Sequence, residues 1–189
     1  MQKLLSIFFS IVLLVSCEGT VVNEFCKYSA SYKMDFSIGH TNIPLHDALN
    51  SSNLFATFST VPYNSGYKIQ SHTYGSGNHT EVVSEEILSR SSRIIGLNNG
   101  LIVGRSSLQD GQLYVFDQMC PNCYKSNNFT RNEYMLSFVD NGTNAECSAC
   151  KRKYGLLNGG VVVAGEQGEK LFRYHASYDG RIFWVANPQ

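Results

Sequence analysis

The sequence predicts an all-β domain, a sandwich or small barrel, on three observations. From Ile94 to Val185, short apolar runs alternate with Gly, Asn and Asp turn residues. No stretch carries a long helical period, and no segment repeats. Aromatic residues are plentiful, 11 Tyr and 11 Phe, which suits packing between neighbouring strands.

Taken in order, the chain starts with Lys3 and an apolar run from Leu4 to Val15, shorter than a membrane span. Leu14-Val15-Ser16-Cys17 follows and resembles a bacterial lipobox, whose cysteine is acylated and becomes the first mature residue. Small Ser16 directly before Cys17 is what that machinery requires. The resemblance implies a lipoprotein signal peptide over residues 1–16 and a lipid-anchored tether over residues 17–24. One domain, residues 25–189, would then be held at a membrane of the bacterial cell envelope, on the periplasmic or outer-membrane side. An ordinary signal peptide and a retained anchor are the alternatives. No twin-arginine pair is present near the start.

The whole chain has balanced charge, and without Lys3 it carries a single excess acid. Such a chain has no electrostatic reason to seek nucleic acid. Lys151-Arg152-Lys153 is its one basic run, either a solvated loop tip or an offset to nearby thiolates.

Met34, Phe36 and Ile38 alternate with polar neighbours, the period of a half-buried strand. Cys26, just before, reads as a buried thiol outside any metal site. Pro44–Leu49 reads as one helical turn and Leu54–Phe58 as a strand. Val61–Tyr67 reads as a turn and Gly75–Asn78 as a flexible loop. His40, His46, His72 and His79 lack ligand spacing and read as surface or structural residues. Strands are expected at Leu101–Arg105, Leu113–Asp117, Tyr134–Val139, Val161–Val163, Leu171–Tyr174 and Ile182–Val185, with Tyr124–Glu133 as a polar loop.

The chemistry concentrates in two pairs, Cys120-Pro-Asn-Cys123 and Cys147-Ser-Ala-Cys150. Each pair places two thiols on a turn, and two facing turns supply four sulfurs in a tetrahedron. Disulfides and buried free thiols are the alternative states. Motifs for a serine nucleophile elbow, a zinc protease helix or a phosphate-cradling loop are missing from the sequence.

With these residues in view, residues 94–186 resemble a Rieske-type domain. Rieske domains project two loops from a β-sandwich, usually with Cys-x-His and Cys-x-x-His, around a 2Fe–2S cluster. Phe116–Cys123 resembles the first loop and Cys147–Cys150 the second. Tyr154-Gly155-Leu156-Leu157-Asn158-Gly159 resembles the turn that follows, and Leu171–Tyr174 and Gly180–Val185 the last two strands. The resemblance therefore implies a Rieske-like β-sandwich with two metal-binding hairpin loops within residues 117–155. Both His ligands are replaced by Cys, and the first loop is one residue longer. The overall look is close to Rieske-like lipoproteins of Bacteroidetes-type bacteria.

Four thiolates remove the imidazole that gives a Rieske centre its high potential. Cys120, Cys123, Cys147 and Cys150 suit a single structural Zn²⁺ or a low-potential 2Fe–2S cluster. Zinc is favoured: two Cys-x-x-Cys turns are the ligand set of closed zinc sites, and the leader resembles an unfolded-export signal, so the metal must be acquired outside. The expected function is a non-catalytic envelope lipoprotein with a structural zinc. The alternative is an electron-transfer protein, with a cluster on the same cysteines, that docks a periplasmic redox partner. A subunit of a ring-hydroxylating or nitrite-reducing enzyme fits less well, since no catalytic domain accompanies the loops.

Overall fold

The computed structural model describes residues 25–36, 43–64, 66–84 and 93–187. The segments expected as signal peptide (residues 1–16) and tether (residues 17–24), with Cys17, and also His40, lie outside the described residues. In chain order, strand β1 (Ala30–Asp35) and helix α1 (Ile43–Asn50) precede β2 (Phe55–Tyr63), β3 (Gly66–Thr73) and β4 (His79–Ser84). Then come β5 (Arg93–Ile94), β6 (Leu101–Ser106), β7 (Gln112–Asp117) and helix α2 (Pro121–Asn127). The chain continues through β8 (Leu136–Val139), β9 (Asn144–Cys147), β10 (Lys153–Gly155), β11 (Val161–Ala164), β12 (His175–Tyr178) and β13 (Ile182–Asn187). The fold is all-β, as the sequence predicts, and its strands form three antiparallel sheets. Their orders are β4-β3-β2-β6-β7, β12-β13-β1-β5 and β11-β10-β9-β8.

Successive side chains on a strand point to opposite faces, so a central sheet can serve two cores. The five-stranded sheet does this. Leu101 and Val103 of β6, Val115 of β7 and Phe58 of β2 join one core with Tyr32, Met34, Phe183 and Val185. Ile102, Tyr114, Phe116 and Phe55, at the alternate positions, join a second core with Leu136, Ala145, Tyr154 and the thiols. Helix α1 closes the first core with Leu45 and Leu49, one helical turn apart. Arg105 of β6 holds the end of α1, donating from Nε to the Leu49 carbonyl at 2.6 Å.

Several elements depart from expectation. Helix α1 runs two turns, not one, because Leu45, Ala48 and Leu49 all find burial on β6 and β2. Val61–Tyr63 continues β2 rather than turning. Its pairing with β3 extends from Ala56 opposite Thr73 to Tyr63 opposite Gly66, and the turn falls at left-handed Asn64. Strands β3 and β4 have mostly polar sequences and go beyond the expectation; Ile69 of β3 enters the first core, and Tyr67 packs against it. Leu171–Tyr174 is not a strand. It bonds the end of β7 through Asp117 N to Phe172 O (2.8 Å) and Tyr174 N to Val115 O (2.9 Å), and the strand proper starts at His175. Likewise β8 starts at Leu136, after a 3₁₀ turn over Asn132–Tyr134.

Candidate metal centre

The first cysteine pair sits where the central sheet hands over to the third. Strand β7 ends at Asp117, and the chain passes through Gln118 and Met119 into α2. The first part of the expected polar loop, Tyr124–Asn127, belongs in fact to this helix. Cys120 is its N-cap and Pro121 its first residue, where a missing N–H costs nothing. Cys120 and Cys123 therefore lie three residues apart at the helix start, on one side of it. The helix ends at Asn128 in the left-handed region (φ 55°), its N–H on the Tyr124 carbonyl, while Asn127 Nδ2 donates to the Cys123 carbonyl at 2.8 Å. Cys120 N–H bonds the Tyr134 carbonyl (2.9 Å), which ties the helix to the start of β8.

The second pair occupies the hairpin between β9 and β10. Cys147 is the last residue of β9, opposite Leu136 of β8. Its N–H bonds Arg152 O (3.0 Å) and its carbonyl accepts from Lys151 N–H (2.9 Å), so residues 148–151 curl back on themselves. Lys151 takes φ 61° to complete the curl, a left-handed conformation unusual for a lysine.

The fold brings all the expected ligands together. The sulfurs of Cys120, Cys123, Cys147 and Cys150 lie within 4.8 Å of one another, and among the described residues no histidine belongs to the group. Contacts run across the loops, Cys120 to Cys150 and Cys123 to Cys147, each at 3.7 Å. All are free thiols. Cys120 and Cys147 are fully buried, Cys123 nearly so, and Cys150 partly exposed. This set can hold a metal ion. With zinc–sulfur bonds of about 2.3 Å, the edge of a regular tetrahedron is about 3.8 Å, close to the 3.7 Å contacts.

Protons among these thiols are unequally held. The hydrogen bond with Cys147 pulls Cys120 down to about 5, helped by Tyr154 and the Cys123 N–H. The same bond, with burial, pushes Cys147 far up. Burial and the neighbouring Cys120 charge push Cys123 up to about 12. Cys120 thus ionises before Cys123 and Cys147, and an incoming cation must displace protons from those two.

The sequence reading missed the groups around the sulfurs. Tyr154, read only as part of a turn, is fully buried with its hydroxyl 3.1 Å from Cys120 Sγ. Asn122 Nδ2 donates to that hydroxyl (2.9 Å) and to Glu169 O (3.0 Å), and Asn122 Oδ1 accepts from Glu169 N–H (2.9 Å). The one available signal was the Asn inside the first pair. Arg152 bonds Cys150, which raises the guanidinium further, and pairs with Glu166 at 2.6 Å. Of the basic run, Arg152 therefore stands against the thiol group, while Lys153 pairs with Asp140 and Glu146 on the surface.

The remaining candidates stand apart. Cys26 is half-buried rather than enclosed, lies outside the thiol group, and is pushed up to about 11 by burial. His72 bonds Thr57 Oγ1 (2.6 Å) and meets the Phe138 ring edge-on; His46 meets Phe36. Both are structural contacts, as expected. Comparison of the chain with family models, curated proteins and solved structures returned no match.

Proposed function

We propose that this chain is a lipid-anchored envelope protein whose Rieske-like β domain holds one structural zinc ion on Cys120, Cys123, Cys147 and Cys150. The observation that carries the reading is the compactness of the sulfur group. All four lie within 4.8 Å of one another, as the corners of one tetrahedron do. A 2Fe–2S cluster interposes two irons and two sulfides, and its thiolate pairs stand farther apart than one tetrahedral edge. Four thiolates close the coordination sphere, which leaves no position for substrate and makes the role structural. Zinc would fasten α2 to the β9–β10 hairpin. This chain's own residues prepare that role: Tyr154 and Asn122 orient Cys120, and Arg152 offsets charge at Cys150.

The Rieske-like arrangement supports a second reading. One cysteine pair follows β7 and the other joins β9 to β10, two loops converging from a β framework, which is how such domains present a cluster for electron transfer. Metal analysis and visible absorption of protein from its native envelope separate the two. Zinc predicts a colourless protein with one Zn per chain. A brown protein that bleaches on reduction establishes the cluster reading, and native disulfides among the four cysteines refute both.

The anchor is tested separately. Wild-type protein should incorporate labelled fatty acid and Cys17→Ala should not. If the wild type takes up no label, the lipoprotein reading is wrong.

A further inference from the structure

We propose that the cleft between Phe25–Tyr28, helix α2 and residues 169–173 binds a small anion that carries a flat apolar group. The cleft has a volume of about 300 Å³, the lower end of the range for small-molecule sites. Its lining combines two features that recognise the two parts of such a ligand.

The first is charge. Among the described residues, Lys27, Lys125, Lys170 and Arg173 line the cleft with one carboxylate, Glu169. Glu169 pairs with Lys125 at 2.8 Å, which leaves Lys27 and Lys170 as the cations at the rim. The chain as a whole has a formal charge of zero, so this concentration of cations is local. Arg173 is the most committed of the cations. It is only 5 % exposed, with its guanidinium 4.9 Å from the Phe25 ring and 4.4 Å from the Tyr114 ring. Aromatic faces hold a cation in place there.

The second feature is an aromatic wall. Tyr28 and Phe172 meet edge-on at 4.8 Å, and Tyr28 meets Tyr124 of α2 at 5.4 Å. A flat apolar group beside Tyr28 and Phe172 would add a further ring contact. Low dielectric beside these rings strengthens the attraction of the cations for an anion. The wall is anchored: Asn122 clamps Glu169 through both its main-chain groups, fixing residues 169–173 to the helix. The proposal does not depend on which ion the thiols hold.

Phenyl phosphate is the probe, titrated into the full chain and followed by backbone amide shifts. Saturable shifts are expected at residues 25–28, 125 and 169–173. They should be absent with phenyltrimethylammonium and weaker with inorganic phosphate. A Lys27→Gln/Lys170→Gln variant changes only side chains at the rim and should keep a dispersed spectrum, with affinity for phenyl phosphate reduced about fivefold. Equal binding of the cation, equal binding of inorganic phosphate, or undiminished affinity in the double variant overturns the proposal. So does binding to phosphatidylglycerol vesicles without binding to phenyl phosphate, which would assign these cations to a membrane-facing surface.

Discussion

Cys147→Ser tests whether the thiol group acts as one unit. Cys147 is fully buried, 3.7 Å from Cys123 Sγ, and its main chain closes the second loop through Arg152 and Lys151. Serine keeps the shape but not the soft ligand. A site loaded to about a thousand times its dissociation constant contributes about 4 kcal/mol to the state that binds it. Losing the ion removes that amount from the opening free energy of the loops, and a buried hydroxyl with poor partners removes about 1–3 kcal/mol more. The first core is spared, because Tyr32, Met34, Phe183 and Val185 pack without the thiols. Hydrogen exchange by mass spectrometry should therefore show a divided response. Amides of residues 118–128 and 145–155 should exchange at least about a thousandfold faster, the part due to the ion alone. Those of β1 and β13 should stay protected, and Leu101–Arg105, which serves both cores, should change little. Wild type stripped with a chelator should reproduce the pattern. The reasoning is refuted if each single Cys→Ser variant keeps its ion, or if chelation leaves the loops as protected as before.

Three further expectations concern neighbouring groups. Tyr154→Phe removes the hydroxyl that bonds Cys120 and should weaken metal affinity about tenfold, as loss of a partner to a metal ligand does; competition against a chromophoric chelator measures it, and unchanged affinity would make the tyrosine a packing residue only. Burial raises Asp117 from 3.8 to about 6, against donors from Tyr174, Leu97 and Met119. Its folded pKa is above its unfolded one, so this contribution is complete below about pH 4 and is lost as pH rises through 6, a span of about 3 kcal/mol. Urea unfolding should show wild type gaining on Asp117→Asn by about that amount from pH 7.5 to pH 4, and a flat difference would mean the carboxylate titrates normally. Finally, chelated protein oxidised with diamide should first form Cys120–Cys150 and Cys123–Cys147, because those sulfurs start 3.7 Å apart across the loops. Peptide mapping that finds mainly Cys120–Cys123 and Cys147–Cys150 would contradict the geometry.

The sequence by itself determined the β class and the identity of the thiol quartet. Both rest on local rules. Leu101–Val103 is an apolar run with two β-branched residues and Ile182–Val185 a run of β-branched and aromatic residues, each near turns, and two Cys-x-x-Cys pairs carry their spacing in four letters each. Tertiary structure decided the rest. Lys68–Thr73 reads as polar, yet becomes a strand because β2 and β4 flank it and Ile69 finds a core. Tyr124–Asn127 reads as a loop, yet is helical because Pro121 starts the turn and Cys123 is buried against the second loop. Which sulfur meets which, and that Tyr154 and Asn122 serve Cys120, depended on contacts between residues about thirty positions apart. Side-chain periodicity reports which face is apolar, not which distant face it meets, and packing against that face completes the centre.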